Sequence, residues 1–193
     1  MKTLLTHHVE IQGGHPFRGS ITADPEGNGY ALQIRDASPE GVADWTALTR
    51  TSLDSYKNIV WLRPGDIVFA ARGQNNYALC FDEVPVPTVC SQYFFLLRVK
   101  SSALLPGFLA WQMNRQPAQR YFAQHAEGSD QIGIRRGVLE ALPIVVPCIE
   151  QQRQIAALDK AAHEERKALQ ALIHNREQML DALAFELHNH STR

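Results

Sequence analysis

The chain has 193 residues, 45% of them apolar and 20% charged, with 19 Lys plus Arg against 20 Asp plus Glu for a formal net charge of −1. These values exclude wholesale disorder and fit one domain plus an appendage, or one large domain. They also argue against a non-specific nucleic-acid binder, which is usually strongly basic, but leave room for a protein that grips DNA through a local patch or a basic partner.

Three cysteines, Cys80, Cys90 and Cys148, are an odd number without CxxC spacing. They read as free thiols in a reducing compartment, not as a disulfide framework or a metal site. The opening MKTLLTHH has no apolar run of signal-peptide length, and no stretch approaches the roughly 20 apolar residues that span a bilayer. The expectation is a soluble cytoplasmic protein with no membrane partner and no cofactor.

Residues 1–104 read as strands and loops. Runs rich in Val, Ile, Tyr and Phe occupy 30–35, 58–62, 66–71, 77–81 and 93–99, separated by turn-forming stretches at 24–29 and 63–66. A short helix is expected within 43–56. Pro106 suits the first turn of a helix, and Phe108, Leu109, Gln112 and Met113 follow it at helical spacing. Pro117 should kink or split that helix. A polar loop at 126–131 precedes a short amphipathic turn at 138–142 and an apolar strand at 143–146, which Pro147 ends.

From residue 149 to about 190 no Pro or Gly interrupts one long helical segment, with Glu150 in its first turn facing the positive end of the helix dipole. About 40 residues at roughly 1.5 Å each make a rod of about 60 Å. Such a rod is too long to pack only on a domain this small, so it needs a partner. The chain thus divides into an α+β domain over 1–147, with a mixed, mainly antiparallel sheet and short helices, and a long coiled-coil helix over 148–193.

A heptad with Ile155 at position a places Ile155, Leu158, Ala162, Glu165, Leu169, Leu172, Arg176, Met179 and Leu183 along one seam. Seven of the nine are apolar. Folded against a second copy about a point between Leu169 and Leu172, the seam pairs Leu158 with Leu183, Ala162 with Met179 and Leu169 with Leu172. The two polar interruptions, Glu165 and Arg176, then meet as opposite charges. A parallel pair would instead set Glu165 near Glu165 and Arg176 near Arg176. Charged partners in a seam fix register and orientation more than they add stability. The expectation is an antiparallel homodimer; packing on its own domain or on another protein is the alternative.

Several stretches together resemble the specificity subunits of type I restriction–modification systems. Residues 101–122 (SSALLPGFLAWQMNRQPAQRYF) resemble the helix after that family's central strands. Residues 127–159 (EGSDQIGIRRGVLEALPIVVPCIEQQRQIAALD) resemble its loop, short helix, strand, proline and helix start, where Pro-x-x-Glu-Gln-x-x-Ile is typical. Residues 62–78 (LRPGDIVFAARGQNNYA) resemble its Gly-Asp-Ile strand and following loop, and residues 9–21 (VEIQGGHPFRGSI) its entry segment. The resemblance implies a non-catalytic subunit that binds double-stranded DNA, docks DNA methyltransferase subunits and works with a separate restriction motor. Full-length members carry two recognition domains and two long helices that pair antiparallel. One domain and one rod make this chain look like a half-subunit, with two copies rebuilding the whole.

Within such a domain, cations and amides hold phosphates while Arg, Gln and Asn read base edges. Arg72, Gln74, Asn75 and Asn76 beside Gly73 offer both, although Asn and Gly also suit an ordinary polar turn. A second group is Ser129, Gln131, Arg135 and Arg136, where four arginines from Arg115 to Arg136 outnumber Glu127 and Asp130. Arg18 and Arg35, with Gln33, form a third. Catalytic readings find little support: Pro147-Cys148 lacks a glycine-rich cofactor loop, and no Walker loop occurs. His7, His8 and His15 near Glu10 are a weak metal motif, and nothing in the spacing of Asp66 and Glu83 argues for an acid–base pair. The rival to DNA recognition is a non-reading adaptor, or a truncated relic, that only docks partner helices.

Overall fold

The computed structural model describes residues 2–42, 44–54, 58–73, 75–126 and 133–190. The chain divides into two compact units, Met1–Ala156 and Ala157–Arg193. The structure therefore groups the opening turns of the long helix with the first unit.

In chain order the elements are β1 (Lys2–Leu4), β2 (Val9–Gly13), β3 (Gly29–Leu32), β4 (Ala37–Ser38), β5 (Gly41–Val42), β6 (Thr49–Thr51), β7 (Ile67–Ala70), β8 (Ala78–Cys80), β9 (Thr88–Cys90) and β10 (Phe94–Val99). Helices α1 (Pro106–Met113), α2 (Gln116–His125) and α3 (Arg136–Glu140), strand β11 (Pro143–Val145) and helix α4 (Ile149–His190) follow. Four strands form an antiparallel sheet in the order β2-β10-β7-β8. A second sheet, β6-β3-β9, is mixed: β3 runs antiparallel to β6 and parallel to β9. β1 pairs with β11, and β4 with β5. The expected α+β class, with mainly antiparallel sheets, short helices and one long C-terminal helix, is what the chain adopts.

The wholly apolar run of β7 is explained by burial on both faces. Side chains alternate along a strand, so Ile67 and Phe69 join one core with Phe108, Leu109, Met113 and Phe122 of the helices. Val68 and Ala70 join a second core with Leu32, Phe81 and Cys90 on the side of the mixed sheet. Each fully buried Phe or Leu contributes about 1.5–3 kcal/mol relative to exposure. Pro117 splits the helical pattern as expected: α2 begins at Gln116 with the proline in its first turn.

Two expectations fail. Residues 58–62 form no strand. Asn58 sits at φ 59°, outside extended backbone, and within this stretch a single N–H, that of Leu62, donates to Thr88 at 2.9 Å. The helix expected within 43–56 is also absent from the described residues 44–54, where β6 pairs with β3 instead. Its β-branched threonines prefer the pleated surface.

Amide side chains finish the sheet edges. Asn114, capping α1, accepts from Ala78 N and donates to Ala78 O, both at 2.8 Å. Gln112 does the same for Val145 of β11, at 2.6 and 2.9 Å. Each amide thus satisfies strand groups that would otherwise be an open edge. Gln152, fully buried, holds the start of α4 within the first unit. It accepts from Leu105 N at 2.8 Å and donates to Ala103 O at 2.7 Å and Pro147 O at 2.9 Å.

Asp66, at the entry of β7, is buried and receives both arms of Arg98 from β10, each at 2.7 Å, together with the Arg63 N–H at 2.9 Å. Replacing Asp66 by Asn leaves the guanidinium without its counter-charge. The expected loss is about 3 kcal/mol, the low end of the range for a broken buried pair, because Arg98 keeps part of its surface in water. Urea unfolding checks this: the midpoint should fall with an unchanged slope, and an unaltered midpoint would mean the pair contributes nothing.

Candidate nucleic-acid interface

The antiparallel sheet sends its connections out at two ends. At one end β2 finishes, β7 finishes, β8 starts and β10 starts; β3 and β9 of the mixed sheet finish there too. Backbone bonds tie these ends together. Gly14 N donates to Phe94 O at 2.9 Å, His15 N to Cys90 O at 2.7 Å, Ser91 N to Leu32 O at 2.9 Å and Ala71 N to Tyr93 O at 3.0 Å. Gly14 permits the closest approach, since a Cβ there would lie 2.0 Å from the Ser91 carbonyl oxygen.

The three groups of candidate residues, read from separate parts of the sequence, meet at this end as far as they are described. Arg72 is exposed and bridges to Gly133, and Ile134 N donates to Ala71 O at 2.9 Å, which brings the 133–136 segment beside the β7–β8 turn. Gly73, at φ +120°, needs its missing side chain to turn there, and a Cβ would lie 3.6 Å from Ile34. Arg35, the next residue, is exposed and donates to Thr49 Oγ1 at 3.1 Å, with Asp36 at 3.5 Å. Arg18 lies in the exposed stretch that follows His15. Arg135 precedes α3, and Arg136 pairs with Glu140 at 2.7 Å; both are exposed. Gln74, Ser129 and Gln131 lie outside the described residues.

Asn75 is exposed, whereas Asn76 is partly buried and its amide donates to Ala70 O at 2.8 Å. Asn76 thus holds the turn. Tyr77 anchors the same turn from below, its hydroxyl donating to Ala37 O at 2.7 Å. Burial, and secondarily the charge of Glu40, pushes this phenol up to about 12.

One feature of this end escaped the sequence reading. Ser91–Phe94 is a tight turn closed by Phe94 N donating to Ser91 O at 3.0 Å, and its two central residues, Gln92 and Tyr93, are exposed. The signal was a pair of large side chains between two apolar runs. It was hidden because the short strand β9 was not recognised, so no turn between it and β10 was seen.

No reactive group accompanies these cations among the residues whose titration is perturbed. Burial raises the Cys80 and Cys90 thiols to about 12, helped at Cys80 by Asp82 and Asp66 and at Cys90 by Asp66, so neither forms a thiolate near neutrality. Burial lowers His15. Asp66 is engaged by Arg98 and is not offered to a substrate with Glu83. Among the described residues no three His, Cys, Asp or Glu side chains are grouped to hold a metal ion, and no helix is long and apolar enough to cross a membrane.

In the second unit, the helix carries Leu158, Leu169, Leu172, Met179 and Leu183 in the open, between 49% and 72% exposed, with Ala162, Glu165 and Arg176 exposed among them. Ile155, assigned by the heptad to the seam, is instead packed against the helical core of the first unit. Its spacing fits both roles, and burial takes precedence.

No family model and no curated protein matches the sequence. Solved structures do share its fold. The chain superimposes on the S subunit of a type I restriction–modification system from M. genitalium with a TM-score of 0.59 and 17% identity, covering 90% of this chain and 41% of that one. For the HsdS subunit from Thermoanaerobacter tengcongensis the values are 0.57, 18%, 88% and 38%. For a chain from a structure describing assembly and conformational transition of the type I R-M system they are 0.54, 20%, 87% and 42%. The chain spans about two fifths of the length of each.

If Asn76 is the turn's internal support and Asn75 is not, Asn76→Ala should cost about 1 kcal/mol, while Asn75→Ala stays within about 0.5 kcal/mol of the parent. Thermal unfolding of the two variants measures this; equal effects would remove the distinction.

Proposed function

We propose that this chain binds a DNA half-site as a sequence-specificity component of a type I restriction–modification system in the cytoplasm. The observation that carries the proposal is the gathering of Arg18, Arg35, Arg72 and Arg135 at one end of the sheets, on a fold shared with S subunits. The net charge of −1 makes that concentration informative, because the cations are placed and not merely abundant.

In this reading the chain binds and positions; it performs no chemistry. The arginines contact phosphates and fix the register of the domain on double-stranded DNA, while amide-bearing side chains such as Asn75 reach base edges. Arg136 belongs to the same proposed surface. Methyltransferase subunits, and a restriction motor where the system has one, dock on the assembly.

The open apolar stripe of α4 supports pairing of two copies. An antiparallel pair in the register centred between Leu169 and Leu172 covers residues from Leu158 to Leu183 and sets Glu165 against Arg176. Ile155 would meet Glu186 in that register, so its engagement with the first unit costs the seam nothing. Two identical domains related by a two-fold axis read a palindrome interrupted by a non-specific spacer.

Two measurements test the halves of this account. Binding of the full chain, co-expressed with a type I DNA methyltransferase subunit, to duplex DNA at increasing salt should give a steep log–log slope. Arg72→Ala and Arg135→Ala should each reduce the slope by about one and weaken all sequences alike. Parental slopes in both variants would remove this surface, leaving an adaptor that docks helices without reading DNA. For the pairing, Glu165→Arg alone should shift sedimentation toward the monomer, and Glu165→Arg with Arg176→Glu should restore the dimer. Loss without rescue would contradict the register.

A further inference from the structure

The tip at Gln92 and Tyr93 has a composition that turn formation does not explain. Tight turns favour Gly, Pro, Asn, Asp and Ser, each for a backbone reason that neither Gln nor Tyr supplies. Both residues are exposed, Tyr93 to 40%. Tyr93 is one of three exposed large apolar side chains among the described residues of the first unit; the others, Leu4 and Val145, lie on the β1–β11 ribbon at the opposite end.

Its position is central. β10 lies between β2 and β7, so the turn that opens it has Gly14 and the Arg18 stretch on one side and Ala71 and Arg72 on the other. The backbone is held from both flanks, by Gly14 N on Phe94 O and by Ala71 N on Tyr93 O. The turn joins β9 of the mixed sheet to β10 of the antiparallel sheet, and its exposed side chains are of a size to enter a major groove about 12 Å wide. An exposed Gln at its tip can pair through both amide atoms with adenine N6 and N7, and a tyrosine ring offers apolar surface to a thymine methyl together with a polar hydroxyl.

We propose that the Gln92–Tyr93 turn is the specificity-determining tip of this surface, entering the major groove to read an A·T pair while the flanking arginines hold phosphates. The proposal rests on the duplex-DNA reading given above and adds the residues that carry sequence information. It separates two roles on one surface: the arginines set affinity, and the turn sets preference.

The test uses the full chain, co-expressed with a type I DNA methyltransferase subunit, and a pool of double-stranded oligonucleotides with a randomised segment. Retained DNA is sequenced for the parent, Gln92→Ala, Tyr93→Ala and Gln92→Glu. The parent should enrich a motif containing at least one strongly preferred A·T position. Gln92→Ala should reduce that preference by about 5- to 100-fold, and Tyr93→Ala should weaken the same or the adjacent position, with the rest of the motif kept. Gln92→Glu keeps the side chain's size and only accepts, so it should move the preference toward C·G. If an alanine variant fails to fold by circular dichroism, this one gives the reading. A parental motif in every folded variant overturns the role of the turn and leaves DNA recognition standing. A parent that enriches no sequence overturns both.

Discussion

Strand β7 has no exposed face. Ile67 and Phe69 are committed to the helical core and Val68 and Ala70 to the core beneath the mixed sheet, so the strand is covered on both sides by layers that cannot be removed separately. Such a strand cannot present functional groups along its length. Its connections must leave at its ends, and the antiparallel order β2-β10-β7-β8 brings several of them out together. The Asp66–Arg98 pair secures one end of the strand to β10. The other end is left for the turns that carry Arg72, Asn75, Gln92 and Tyr93. Packing thus closes one end of the sheet with a buried ion pair and leaves the other to exposed turns.

Much of this was legible in the residues. The apolar and aromatic runs at 66–71 and 93–99, the proline punctuation at Pro106 and Pro117, and the uninterrupted run after Pro147 all express local physics, and each became the expected element. β2, Val9–Gly13, was missed although its apolar and polar residues alternate. β1, β6 and β9 are each three residues long, too short to show a period of their own. The same cause hid the Ser91–Phe94 turn. Residues 58–62 erred in the other direction: apolar and β-branched, they lie against a core without joining a ladder.

The candidate cations were identifiable as residue types, but their convergence was not. Arg35, Arg72 and Arg135 lie far apart in sequence and meet only because β3 runs parallel to β9 and because Gly133 bridges to Arg72. Nor did composition distinguish Asn75 from Asn76, two identical neighbours of which one supports the turn and the other faces solvent. Ile155 teaches the same point in the helix: a heptad places apolar residues on a face, but the first unit claims the first of them. Glu165 and Arg176 are more telling than the leucines between them, because opposite charges symmetrically placed about one point specify orientation, which apolar residues do not.

We propose that two copies of this chain direct DNA methylation to a gapped palindrome. The most direct test is to express the chain with a type I DNA methyltransferase subunit in a host free of DNA methylation and to map modified bases by single-molecule sequencing. The account predicts one palindromic motif with a fixed non-specific spacer, lost when the chain is omitted. An asymmetric motif would contradict the identical-halves arrangement, and the absence of any motif from proteins that co-purify would contradict sequence recognition itself.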